Sequence, residues 1–193
     1  SAPGFSHQAV TDVGIMSSIP GMRVFEPACG AELSFALSVA LEHPGPSFIR
    51  MGGLAPLPAT ESAAPIVERR AGKDIALIAS GPLFSQQALD AADLLDEQGL
   101  SIAVFTMTEV AVNPPAAVLD ALSSYKLVVV LENYNPALAK YELLKNALGD
   151  AFDVRVERWG AERETVHEET GRSGTFHEAP ADADSDGCHW PVS

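Results

Sequence analysis

Two side chains at either end of the first fifty residues have the types that ligand chemistry requires. His7 sits in a loop of small and polar residues, Gly4-Phe5-Ser6-His7-Gln8. An imidazole titrates near neutral pH, so it can donate to a developing alkoxide and also take up a proton. Arg50 closes the run Ser47-Phe48-Ile49-Arg50. Its planar fork of donors suits an anionic group better than the point charge of a lysine. Ser6, beside His7, is a candidate to line the same channel. Other residues carry weaker signals. Cys29 precedes a helical segment, whose N-terminus can lower a thiol's pKa, but packing is the simpler role for a cysteine. Ser80-Gly81-Pro82 opens a helix without the glycine pattern or the following Lys-Ser/Thr of a phosphate cradle, and is read as a turn. His167, His177, Cys188 and His189 do not repeat a zinc spacing. Asp182, Asp184 and Asp186 lack the glutamate that would complete a calcium loop.

The elements that must position His7 and Arg50 follow from periodicity. Val10, Val13, Met16 and Ile19 recur at helical spacing over residues 9–19, with Thr11, Asp12 and Ser17 facing outward. Pro20-Gly21 stops that helix, and Met22, Val24 and Phe25 form a short strand. A second helix over 31–42 carries the stripe Leu33, Ala36, Leu37, Ala40 and Leu41, ends at Pro44-Gly45-Pro46, and gives way to a strand at Phe48-Ile49. Open parallel sheets bind ligands just outside the carboxyl ends of their strands, so His7 and Arg50 are expected to border one site. Two strands do not make a parallel sheet covered on both faces, and others must complete it.

Residues 52–72 change character. Pro56, Pro58 and Pro65 with scattered alanines read as an extended connection, within which residues 65–69 form a candidate edge strand. From Lys73 onward, apolar strand runs at 75–79, 101–107, 126–131 and 153–156 alternate with helices at 84–98, 114–122 and 135–148. Such alternation predicts a doubly wound α/β domain with right-handed crossovers. Glu132-Asn133-Tyr134 ends one strand and is read as an intersubunit contact. The remainder is a polar, acidic tail expected to fray or wrap the surface.

Composition sets limits. Of the 193 residues 47% are apolar, which supports a sizeable core. The net charge of −14, from 26 acidic against 12 basic side chains, argues against binding a nucleic-acid backbone. Two distant cysteines fit a reducing cytosol better than a disulfide framework. No apolar run reaches the roughly 18 residues of a membrane span, and the start lacks the features of a signal peptide. A cytoplasmic protein with no membrane partner is expected.

Taken in order, the Ser-His-Gln loop, Ile19-Pro20-Gly21-Met22-x-Val24-Phe25-x-Pro27-Ala28, the helix with Glu32, and Gly45-Pro46-x-Phe48-Ile49-Arg50 resemble the second half of the pyrimidine-binding domain of transketolases. The region from Asp74 to about Val156 resembles the C-terminal domain of the same enzymes. It carries that domain's Ile78-Ala79-Ser80-Gly81 turn, the 104–114 stretch and the strand end Val130-Leu131-Glu132-Asn133. The resemblance implies an α/β fold: a partial parallel-sheet segment at 1–52, a linker at 53–72, a doubly wound C-terminal domain at 73–160 and a tail at 161–193. It also implies thiamine diphosphate and Mg2+, with a two-carbon ketol unit passed between phosphorylated sugars. In that chemistry the cofactor is the electron sink, while protein groups orient substrate and move protons. His7 matches the family's substrate-channel histidine and Arg50 its sugar-phosphate arginine.

The departures from the pattern are specific. Pro3 stands where the family's loop usually has an acid, and Glu132 to Leu138 replaces a histidine and glycine-rich turn. The diphosphate-binding domain and the first half of the pyrimidine domain are absent, so the cofactor would be bound mainly by residues outside this chain. The implied partner is a chain carrying those parts, in a homo- or hetero-oligomer. Two related reactions remain open, that of a deoxyxylulose phosphate synthase and that of a 2-oxo acid dehydrogenase beta subunit. A non-catalytic assembly or regulatory subunit is the third alternative.

Overall fold

A computed structural model of the chain describes residues 12–52, 55–60, 64–110, 116–132 and 155–160. Its first part is a small unit in which α1 (Asp12–Ser17), β1 (Arg23–Phe25), α2 (Gly30–Glu42) and β2 (Ser47–Ile49) follow one another. β1 and β2 pair in parallel, Val24 opposite Phe48. Val13 of α1 packs with Val24 and with Val110 from far along the chain, flanked by Met16, Met22 and Phe48.

The second part is a five-stranded sheet. Its strands are β3 (Ile66–Arg70), β4 (Ile75–Ala79), β5 (Ile102–Met107), β6 (Leu127–Glu132) and β7 (Arg155–Gly160). They lie in the order β3-β5-β4-β6-β7, with β3 antiparallel to β5 and the other pairs parallel. Successive side chains of a strand face opposite sides, and β4 uses both. Ala76 and Ile78 join one core with Val118 and Leu122 of α4 (Ala116–Leu122). Leu77 and Ala79 join another with Ala88 and Ala92 of α3 (Gly81–Asp96). Helices therefore cover both faces, the doubly wound arrangement that the alternation predicts. β3 lies inside the 53–72 stretch expected as a linker and is the edge strand of this sheet. The helix expected at 135–148 falls outside the described residues.

Two apolar stripes face differently from expectation. Ile19 is 40% exposed, and on α2 Leu37 and Leu41 are 47% and 86% exposed. The side of α2 turned inward carries the expected Ala36, but with Glu32 beside it. The reason is chemical: the Glu32 carboxylate meets three donors there, described below, and those contacts fix the rotation of the helix. Among the described residues no helix is long and apolar enough to cross a membrane.

Candidate functional site

The two units are joined through the carboxyl end of β1. Val110 N donates to Val24 O at 2.9 Å, Glu26 N to Thr108 O at 2.8 Å, and Gly81 N to Glu26 O at 3.0 Å. Phe25 and Glu109 form an isolated antiparallel bridge. The end of β1 is thereby laid across the carboxyl ends of β4 and β5. These are the positions where an open α/β sheet gathers its ligand-binding groups.

Arg50 follows directly on β2, and its backbone N donates to Phe25 O at 2.8 Å. Its guanidinium is held from two sides. Nε donates to Asp12 Oδ2 at 3.0 Å and Nη1 to Glu26 Oε1 at 2.6 Å. The side chain is only 16% exposed. Burial lowers its pKa, but Glu26 and Asp12 outweigh that and hold it above the ordinary arginine value. The Asp12 carboxylate is itself anchored. Asp12 Oδ1 accepts from Val13 N at 2.7 Å, at the start of α1. Glu26 lies against Gly81, where a Cβ would come within 2.9 Å of Oε1. Gly81 also has φ +67°, a conformation that costs side-chain-bearing residues about 1–2 kcal/mol. Only glycine meets both demands at that turn.

Among the described residues three further arginines pair with carboxylates around it. Arg23 grips Glu109 with Nε and Nη2, at 2.7 and 2.5 Å, while its guanidinium lies 5.3 Å from the centre of the Phe25 ring. That hydrogen bond, ahead of the opposing effect of burial, raises the Arg23 pKa. Glu32 is fully buried and fully engaged. Oε2 accepts from Ala28 N at 2.8 Å, and Oε1 accepts from Thr106 Oγ1 at 2.6 Å and Arg69 Nη2 at 2.5 Å. Arg69 also donates to Thr106 Oγ1, Pro58 O and Cys29 Sγ. Burial works to raise the Cys29 thiol pKa. The backbone N–H of Glu32, Arg69 and the backbone of Thr60 together outweigh it, so the thiol sits below its ordinary value. Cys29 is buried at the N-cap of α2 and packs with Ala28 and Leu57. On the surface, Arg70 pairs with Asp93 and with Asp96.

Of the expected site residues, Arg50 stands at the strand end, while His7 and Ser6 lie outside the described residues. Asp12 was expected to face outward. It instead turns onto Arg50, because α1 begins at Asp12 and its first-turn carboxylate meets both a helix N–H and the guanidinium. Glu26 was not singled out at all. Its signal was available, since an acid in the extended run that follows β1 lies at a strand's carboxyl end.

The described residues do not supply a ligand set for magnesium. Among them no three His, Cys, Asp or Glu side chains gather as a metal site.

The model of the transketolase C-terminal domain matches residues 64–180, and the chain belongs to that family. It is 32% identical over 165 residues to a 6-deoxy-6-sulfo-D-fructose transketolase subunit of Clostridium sp. strain MSTE9, covering 81% of this chain and 50% of that one. It is 34% identical over 143 residues to the 1-deoxy-D-xylulose-5-phosphate synthase of Mycolicibacterium vanbaalenii, covering 67% of this chain and 22% of the synthase. Among solved structures, a split-gene transketolase described as an inactive beta4 tetramer superposes with a TM-score of 0.71 at 26% identity, covering 82% of this chain and 54% of the other. The chain thus spans about half the length, or less, of these relatives.

Proposed function

We propose that this chain is the carboxyl-terminal part of a transketolase-type transferase that moves a two-carbon ketol unit between sugars. The observation that carries the reading is Arg50, fixed at the end of an incomplete parallel sheet that is bonded onto a transketolase C-terminal domain. In this reading residues 1–52 are the second half of a pyrimidine-type domain, and the C-terminal domain begins before β3. A chain carrying the diphosphate-binding domain and the rest of the pyrimidine domain supplies thiamine diphosphate and magnesium. The subunit designation of the sulfofructose transketolase and the split-gene tetramer both support assembly with other chains.

Within that assembly His7 orients the ketol end and moves a proton at its carbonyl oxygen, a role for a group titrating near neutral pH. Ser6 lines the same channel. Arg50 grips the far end of the sugar. The relatives differ on what that end carries: one is named for a sulfo sugar and another for a phosphate ester.

The test is reconstitution. The chain is mixed with candidate partner chains of its host, thiamine diphosphate and magnesium, and two-carbon transfer between a ketose and an aldose is followed by product analysis. Transfer that needs both chains and falls at least tenfold in His7→Ala is expected. Absence of transfer with every partner that forms a complex would remove the enzymatic reading.

A further inference from the structure

β2 is the outer strand of its pair, yet it is not built like an edge. In the parallel register with β1, Arg23 N donates to Pro46 O at 3.0 Å and Arg50 N to Phe25 O at 2.8 Å. That register turns the backbone groups of Phe48 toward β1 and those of Ser47 and Ile49 away from it. Among the described residues no strand lies beyond them. The far side of β1 is already taken, since Val24 O accepts from Val110 N and Glu26 N donates to Thr108 O. The open edge of the small sheet is therefore that of β2.

Its composition contrasts with β3, the edge of the large sheet. β3 carries Glu68, Arg69 and Arg70, with a register shift between Glu68 and Arg70. Charges and bulges of that kind keep a permanent edge from pairing. Ser47-Phe48-Ile49 has no charge, proline or bulge. Phe48 packs with Val13 and Val24 on one face, so Ile49 projects from the other, and both faces are apolar as in an interior parallel strand. Val24 and Phe25 of β1 are fully buried, whereas all three residues of β2 are half-buried. The Ser47 hydroxyl is shielded from water and has no hydrogen-bond partner among the described residues.

We propose that the outer edge of β2 is the surface on which a strand of the partner polypeptide docks, running parallel to β2 and making it an interior strand. This rests on the reading of the chain as one part of an assembled transferase, and it names where the partner engages. The occupant is an extended, apolar segment without acidic residues that pairs its backbone with Ser47 and Ile49, the strand-addition mode of recognition. A second copy of this chain fits the edge less well. Twofold symmetry would set β2 antiparallel to its own copy, beside a parallel pair. It would also bring together two chains of net charge −14.

The test uses the intact chain and those candidate partner chains of its host that carry a transketolase-type diphosphate-binding domain. Amide hydrogen exchange followed by NMR reads the edge residue by residue. In the free chain Ser47 and Ile49 should exchange roughly tenfold faster than Phe48, whose N–H points to β1. In the complex both should slow by roughly tenfold or more. Ser47→Pro removes an N–H that faces away from β1, so it should leave the free fold intact, checked by its thermal melt. It should weaken complex formation by about tenfold. Should Ser47→Pro disturb the fold, the wild-type exchange pattern in the complex decides alone. A complex in which Ser47 and Ile49 still exchange freely, or which a folded Ser47→Pro chain forms as tightly as wild type, would overturn the inference and leave the assembly reading standing. Protection of the two amides that grows with the concentration of this chain alone would give the edge to a second copy and overturn it as well. If no partner chain forms a complex, both readings fall.

Discussion

Replacing Arg69 with methionine would leave the Glu32 carboxylate buried with two of its three donors. Arg69 makes a 2.5 Å bond to Glu32 and three more to Thr106, Pro58 and Cys29, and its side chain is 5% exposed against 0% for Glu32. Breaking one partner of such a pair costs about 3–5 kcal/mol, because the remaining charge is left uncompensated away from water. With a urea m-value of about 2 kcal/mol/M, suited to a chain of this size, the unfolding midpoint should fall by roughly 1.5–2.5 M. The double variant Arg69→Met with Glu32→Gln removes the stranded charge and should recover a substantial part of the loss. Urea titrations of wild type, both single variants and the double variant, followed by far-UV circular dichroism, give the full cycle. A loss below about 1 kcal/mol in Arg69→Met would mean that the bridge behaves like a surface pair, and the account of how α2 is oriented would be wrong.

Three other outcomes follow from particular contacts. Gly81→Ala should destabilise the chain by about 1–2 kcal/mol from φ alone. It should also displace Glu26 from Arg50, read as a shift of the Arg50 Nε–H signal. Tyr125 has a raised pKa, from burial first and then from Glu68. Its contribution to stability is therefore whole below the unfolded tyrosine value of about 10 and is lost as pH rises through the folded value. Stability measured upward from pH ~10 should fall less steeply in Tyr125→Phe than in wild type. A fragment of residues 1–60 should lack a cooperative thermal transition, whereas residues 64–193 should keep one. A two-stranded sheet is marginal by itself, and the first unit's described core borrows Val110. A cooperative melt of the shorter fragment would show that the first unit stands alone.

The strands of the large sheet were legible because burial on both faces writes them as continuous apolar runs, Ile75–Ala79 and Leu127–Val130 above all. The short strands β1 and β2 were legible from the breakers that bound them, Pro20 and Pro27 around the first, Pro46 and Gly52 around the second. The orientation of α2 was not. Its apolar residues run almost all the way round, so periodicity alone placed Leu37 and Leu41 inside. What turns the helix is Glu32, whose partners Arg69 and Thr106 lie 37 and 74 positions away. The same limit hid Asp12 and Glu109. Asp12 reads as a helix-start residue until Arg50, 38 positions later, returns beside it, and Glu109 meets Arg23 across 86 positions. Charge pairing between distant segments leaves no local pattern, whereas hydrophobic alternation does.

These long-range pairs also bear on what the C-terminal domain contributes. Glu26 takes its backbone position from Thr108 and Gly81, both of that domain, and its carboxylate fixes Nη1 of Arg50. The orientation of a strand-end arginine in one unit is thereby set by a turn in the other. The placement of one carboxylate affects the charge its neighbouring arginine presents, so a turn in one unit can tune a side chain in the other. Changes in the Ser80-Gly81-Pro82 turn should then shift the Arg50 Nε–H signal in NMR while Arg50, Asp12 and Glu26 themselves stay unchanged.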